Sequence, residues 1–310
     1  MTIPTLSRRA ALAGAAALPL MSALTSTQAR AGGHAASPNS IHHRFSLGDF
    51  ECATLLVGSS VFDRDPQGAF GINVSKEEFV AASEAAFIPA DRMRGFFTPT
   101  VVNTGTEIVL FDTGLSAAGT GAALAAAGIA PEDVDVVVIT HMHGDHIGGM
   151  TDSDGNLTFA NARFVAGQVE YDHWAGTGNE RFEGKVRPFA DRIEFVGDGH
   201  SVASGITSVA AFGHTPGHMA YHLESSGSRL LLMADTANHY IWSVGYPDWE
   251  VRFDIDKAAA AVTRKKILGM AAADRIPLVG YHMPFPGIGY IERLADNRFN
   301  YVSASYQLHL

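Results

Sequence analysis

Four branched apolar residues, Val136-Val137-Val138-Ile139, close the segment Val134 to Ile139 and run straight into Thr140-His141-Met142-His143-Gly144-Asp145-His146. A short apolar run that ends so abruptly reads as a strand buried on both faces. Three histidines and an aspartate directly beyond it do not build a core. His141 and His143 are two apart, so in an extended segment their imidazoles point the same way and can face one metal ion. Gly144 allows a sharp turn, after which Asp145 and His146 can face the same pocket from its other side and serve a second ion. Imidazole and carboxylate without thiolate suit Zn²⁺ and also accept Mn, Co or Fe. The bland alternative is a solvated histidine cluster at a strand end, and the density of ligand-type residues weighs against it.

Composition narrows the partners. The 310 residues are 46% hydrophobic and 17% charged, as in a globular protein with a sizeable core in one large domain or two small ones. A formal charge of -10 argues against nucleic acid or an anionic membrane as partner. Cys52 is the single cysteine, which excludes an internal disulfide and a cysteine-rich metal site.

Residues 1–31 have the anatomy of an export signal. Ser7-Arg8-Arg9 precedes the Ala/Leu-rich run Ala10 to Leu24, and Ala29-Arg30-Ala31 forms an A-x-A cleavage site. Gly14 and Pro19 leave that run too short and too weakly apolar for a transmembrane helix. The arginine pair resembles the twin-arginine class, although Ala11 stands where that motif usually has Phe. A Sec signal is the alternative. The expectation is a periplasmic or secreted protein, not inserted in a membrane after cleavage, with a flexible leader over 32–40 and one domain over 41–310.

Within that domain, Ser75-Lys76-Glu77-Glu78 reads as a capping box opening a helix to about Phe87. Ala117 to Ala127 reads as a helix stopped by Gly128, and Asp256 to Ala272 as the longest helix, with Lys265 and Lys266 exposed. Strand-like runs lie at 43–45, 50–57, 99–103, 107–111, 163–166, 192–196, 206–212, 219–223, 229–233 and 276–281. No repeat or linker divides them, which implies two sheets with helices outside and ligands at strand ends. Two ions need about seven or eight protein ligands, more than the cluster supplies. His218 closes the turn Gly213-His214-Thr215-Pro216-Gly217-His218. Asp235 ends the apolar run Leu230 to Ala234, where a carboxylate is costly to bury unless paired or metal-bound. His282 ends the Ile276 strand. Asp112, in Asp-Thr-Gly, is either a carboxylate that orients a ligand or a plain turn former, and His214 is read as orienting rather than ligating.

In this order, H-x-H-x-D-H, a TPGH turn, an aspartate and a histidine resemble the metallo-β-lactamase superfamily. The resemblance implies an α/β fold, the αβ/βα sandwich of two mixed sheets with outer helices, and two divalent ions between the sheets. One ion would take His141, His143 and His218, the other Asp145, His146 and His282, with Asp235 bridging. Gly213 to His218, Lys257 to Ala260 with Arg264-Lys265-Lys266, and Phe285 to Gly289 resemble methyl parathion hydrolase and its exported relatives, a branch beside the N-acyl homoserine lactonases. That likeness implies a homodimer acting on a small molecule, with a hydroxide shared by two ions as nucleophile. Asp145 would accept its proton, a role Asp235 could share. Trp174 matches a pocket-lining Trp of that branch, and Phe285 and Trp242 are further pocket candidates. Thr100 stands where the organophosphate hydrolase has an aromatic, and Asn238 where it has an apolar residue. A more polar pocket favours a lactone or other carboxylic ester of the acyl homoserine lactone kind, with phosphotriester hydrolysis as the alternative. A mononuclear iron persulfide dioxygenase is a rival that would leave His146 and His282 without a metal. A non-catalytic binding protein is a second rival.

Overall fold

The computed structural model describes residues 41–304, so the readings made for the export signal and leader lie outside the described residues. The chain opens with β1 (His42–Leu47), β2 (Phe50–Leu55), β3 (Gly58–Phe62), α1 (Lys76–Ala85), β4 (Met93–Phe97), β5 (Thr100–Asn103) and β6 (Ile108–Phe111). Then come α2 (Ala117–Ala126), β7 (Val136–Ile139), α3 (Gly144–Ile147), β8 (Arg163–Gly167), α4 (Gln168–Ala175), α5 (Glu180–Lys185) and β9 (Ile193–Val196). The second half holds β10 (Ser201–Ala203), β11 (Ile206–Ala210), β12 (Met219–Ser225), β13 (Ser228–Ala234), α6 (Lys257–Asp274), β14 (Leu278–Gly280), β15 (Ile288–Arg293) and β16 (Phe299–Ser303).

These strands form two seven-stranded mixed sheets, ordered β1-β2-β5-β6-β7-β8-β9 and β10-β11-β12-β13-β14-β15-β16. In the first, β6 to β9 run parallel, and in the second β13 and β14 do. The unbroken apolar character of β7 follows from its position. Val136 and Val138 face the core between the sheets, with Phe111, Tyr221 and Leu232. Val137 and Ile139 face outward onto Leu124 of α2, Trp174 of α4 and Phe182 of α5. In β13, Leu230 and Leu232 enter the inter-sheet core, whereas Leu231 and Met233 meet Ile267 and Leu268 of α6. Each such side chain, fully buried, contributes about 1.5–3 kcal/mol. A strand in the middle of four layers therefore has no polar face.

Local chemistry sets the ends of the helices. The Ser75 hydroxyl accepts the Glu78 N–H at 3.1 Å and starts α1. That helix stops at Ala85, short of Phe87, which is 96% exposed and left-handed (φ 58°). The Asp256 carboxylate accepts the Ala259 N–H at 2.9 Å and starts α6. Lys266 is exposed as expected, and Lys265, which pairs with Asp248, is half-buried. The strand expected over 50–57 ends at Leu55, and beyond it β3, which no sequence run marked, pairs with β4 in a separate two-stranded ribbon.

Candidate metal centre

The ligand-type residues gather where parallel strands end. His141 to His143 leave the C-terminal end of β7, and Asp145 and His146 sit on the single turn of α3. Asp235 follows β13, His282 follows β14, and His214 lies in the turn between β11 and β12. Each set of donors thus combines residues from both sheets.

In the first set, His141 Nε2 lies 3.1 Å from His143 Nδ1, and His214 Nε2 lies 3.2 Å and 3.0 Å from these two atoms. Burial, reinforced by neighbouring imidazoles, holds His141 well below the usual histidine range and His143 at about 3. Three imidazole nitrogens at such distances can direct lone pairs at one ion. Zinc with nitrogen ligands at about 2.0–2.1 Å would set tetrahedral ligand atoms about 3.3–3.4 Å apart, close to what is observed.

In the second set, Asp145 Oδ2 lies 3.7 Å from His146 Nε2 and 3.4 Å from His282 Nε2. Asp235 Oδ1 is 3.3 Å from His146 Nε2, and its Oδ2 is 3.1 Å from His282 Nε2 and 3.4 Å from His214 Nε2. Asp235 therefore stands between the sets. Burial disfavours the charged form of both second-set histidines, but Asp235 and its acidic neighbours outweigh it. They raise His146 well above the usual range and His282 to about 10. His146 Nε2 and Asp235 Oδ1 are buried without a hydrogen-bond partner. A cation between them would satisfy both atoms.

Each ring in the two sets is held from behind where its far nitrogen meets the protein. His146 Nδ1 donates to Asp112 at 2.8 Å, His214 Nδ1 to Asp254 at 2.9 Å, and His282 Nδ1 to the Phe96 carbonyl at 2.8 Å. Thr140 gives its hydroxyl proton to Asp112 at 2.9 Å, and so accepts from His141 Nδ1 at 3.2 Å. Such outer partners fix the tautomer that leaves the inner nitrogen free for a metal. Asp112 is thereby an orienting carboxylate rather than a plain turn former. The donor sets fit a pair of divalent ions.

Several sequence readings change. His218 is not a donor to the cluster: its Nδ1 donates to the Ala211 carbonyl at 3.0 Å and its Nε2 accepts the Asp235 N–H at 3.1 Å. Both nitrogens are used, so it fixes the backbone at Asp235 while His214 takes the place expected for it. Thr100 lies in β5 among Phe111, Leu232 and Tyr281, off the cavity above the cluster. Trp174 packs its ring against His143 at 5.6 Å and donates to Glu170 at 2.6 Å, and neither it nor Phe285 lines that cavity. Trp242 belongs to a separate core with Phe70, Phe79 and Trp249. Asn238 does line the cavity, and its Nδ2 donates to Asp235 Oδ2 at 2.8 Å.

Three supporting residues carried no pattern in the sequence. Glu170 is fully buried between the two ligand loops. Asp254 joins His214 to Arg264, whose guanidinium is wholly buried and 2.7 Å from the carboxylate. The Tyr281 hydroxyl donates to the Asp145 carbonyl at 2.5 Å while its ring lies 3.9 Å from that of His146. Over the donors opens a cavity of about 730 Å³, with Phe62, Phe70, Met93, Phe97 and Phe253 on its walls.

Residues 98–277 match the sequence model of the metallo-beta-lactamase superfamily, more than half of the chain. The chain belongs to that superfamily. Among its relatives in the superfamily, the N-acyl homoserine lactonase of Bacillus cereus is 29% identical over 112 residues, 36% of this chain and 42% of the relative. That of Bacillus thuringiensis is 26% identical over 113 residues, with the same shares. The match thus spans less than half the length of these curated relatives. The structure of AidC, described as a dizinc quorum-quenching lactonase bound to its N-hexanoyl homoserine product, superposes with a TM-score of 0.79. It is 22% identical, over 86% of this chain and 99% of that one. The hydrolase AbOPH of the beta lactamase superfamily gives 0.78 at 22% identity, over 86% and 98%. At such identities the likeness is one of fold.

Proposed function

We propose that this protein is a dinuclear metal-dependent hydrolase that opens a lactone or cleaves a related carboxylic ester of the acyl homoserine lactone kind. The observation that carries this reading is the pair of donor sets sharing Asp235 beneath a cavity with aromatic walls. His141, His143 and His214 would hold one ion, Asp145, His146 and His282 the other, with Asp235 between them, and the donor chemistry favours zinc. When bound, two such ions supply a nucleophile from water near neutral pH and polarise the acyl oxygen.

The chain's own residues do the rest. Asp145 is the partly exposed carboxylate of the centre, with 24% of its side chain open, so it can take the proton from the nucleophilic water and return it to the leaving alkoxide. Tyr281 holds that residue's backbone, and Asn238 holds Asp235. The aromatic walls exclude bulk water and accommodate an acyl chain. The lactonase relatives support the substrate class.

A phosphotriesterase of the methyl parathion hydrolase type is the second reading, and one observation favours it. Thr100 does not reach the cavity, so the polarity argument against an aryl leaving group rests on Asn238 alone, while Phe62, Phe70, Phe97 and Phe253 supply aromatic walls. The test is kcat/KM of the zinc-loaded protein on acyl homoserine lactones, aryl esters and methyl paraoxon. A lactone preference of about a hundredfold, about 2.7 kcal/mol in the transition state, supports the first reading. The reverse preference establishes the second. Bound metal is measured alongside: two zinc-like ions per chain fit the dinuclear reading, and a single iron would instead indicate the persulfide dioxygenase kind. Export through residues 1–31 and homodimerisation belong to the same proposal. N-terminal sequencing of the protein from its compartment and sedimentation equilibrium test them.

A further inference from the structure

The cavity above the donors carries charges for which the hydrolytic centre has no use. Arg181 of α5 lies against Gly144, between His143 and Asp145. A Cβ at Gly144 would fall 1.9 Å from the guanidinium Nη1 and 2.6 Å from Cδ. Only glycine at that point lets the guanidinium rest on the ligand loop. Arg64 and Arg252 line the same cavity, stacked over Phe62 and Phe253 with 5.4 Å and 5.1 Å from guanidinium carbon to ring centre. Among the described residues none of these three arginines has an acidic partner within 4.0 Å. Asp65, which also lines the wall, is already bound to Lys76 at 2.7 Å. Asp145 and Asp235 belong to the metal centre.

A protein of formal charge -10 thus gathers three unpaired guanidinium groups around one opening. A stacked guanidinium keeps its N–H edge free, and that planar fork matches a carboxylate. Cations grouped in a cleft with low-dielectric walls also raise the local concentration of anions. We propose that the site selects amphiphilic esters or lactones whose acyl chain carries a carboxylate, bound by Arg181, Arg64 and Arg252 while the chain lies along the aromatic wall. This rests on the hydrolase reading above and narrows its substrate class.

The test compares two esters of equal length, para-nitrophenyl octanoate and mono-para-nitrophenyl octanedioate, on the zinc-loaded full chain. The expected result is a kcat/KM at least about tenfold higher for the anionic ester, expressed in KM and reduced by about 0.5 M NaCl. Arg64→Ala, Arg181→Ala and Arg252→Ala should each lower the ratio of the two rates, and the triple variant should bring it near unity. Arg229→Ala, which removes a surface pair with Asp274, should leave the ratio unchanged. Calorimetry with two amides that resist hydrolysis, octanedioic monoanilide and octananilide, gives a reading independent of turnover: the anionic one should bind more tightly, and the arginine variants should abolish the difference. Equal affinity for the two anilides, or variants that weaken both alike, overturns the inference. If neither ester is cleaved but the anionic anilide still binds more tightly, the hydrolase reading fails and the carboxylate site stands.

Discussion

Glu170 joins two loops that the sequence does not show to be neighbours. Its Oε1 accepts the Met142 N–H at 2.9 Å and the Trp174 indole N–H at 2.6 Å, and its Oε2 accepts the Thr215 hydroxyl at 2.6 Å and the Gly217 N–H at 3.0 Å. One carboxylate therefore sets the spacing between His141-Met142-His143 and His214. Glu170→Ala leaves four buried donors unpaired, and urea unfolding should show a loss of about 3–5 kcal/mol. A loss below about 1 kcal/mol would mean that the loops hold each other without it. The two histidines of the Pro-Gly turn invite a paired experiment. His214→Ala should bind one zinc ion fewer per chain, by elemental analysis, whereas His218→Ala should keep both ions and lose thermal stability. The opposite pattern would restore His218 as the ligand. The sequence places both histidines beside Thr215-Pro216-Gly217, but which ring faces the cluster depends on a backbone path that spacing does not encode. His141, His143, Asp145, His146, Asp235 and His282 stand out in the sequence because they lie at or shortly past the ends of apolar strands, where the structure brings them together.

At the scale of elements, α6 acts as a brace for His214. Its approach is set by backbone bonds, Ile255 N–H to the His214 carbonyl at 2.9 Å and Asp256 N–H to the Gly213 carbonyl at 3.0 Å, and two turns on Arg264 secures Asp254. Gly213 has φ 127°, and a Cβ there would lie 2.2 Å from the Ala260 nitrogen. Gly213→Ala should therefore cost about 2–3 kcal/mol and lower zinc occupancy, because the helix must retreat from the loop. Equilibrium unfolding and metal analysis on the same variant check both parts. The helix was legible from its long helical pattern over Asp256 to Ala272, and β7 and β13 from their continuous apolar runs. The β3–β4 ribbon was not. Ser59, Ser60 and Arg94 are exposed, so no face of the ribbon alternates strongly enough to mark a strand. Helices α4 and α5 are short and weakly patterned, and their packing on β7 and β8 outweighs local propensity.

The two sheets meet across a core that also encloses Cys52, and burial pushes its thiol up to about 12. A thiol reagent should leave the folded protein unmodified and label one group per chain once it is unfolded. Labelling of the folded protein at a rate near that of a free thiol would mean that the sheets part readily. Metal should also matter to the whole molecule, since the first sheet supplies His141, His143, Asp145 and His146 and the second His214, Asp235 and His282. Chelation should lower the melting temperature, and zinc in excess should raise it again, with a gain in stability of about 2.7 kcal/mol at a hundred times the dissociation constant. A melting temperature insensitive to both would show that the donors are held in place without ions.

The spacing of those donors along the chain has a topological side. His141 and His214 are 73 residues apart. An ion gripping both would close a ring of that length in the unfolded polymer, as a cystine bridge does, and chain statistics value such a closure at about 4 kcal/mol. With a single cysteine the chain has no sulfur crosslink of its own to make. It would instead carry two crosslinks that reducing agents leave intact and that a chelator undoes.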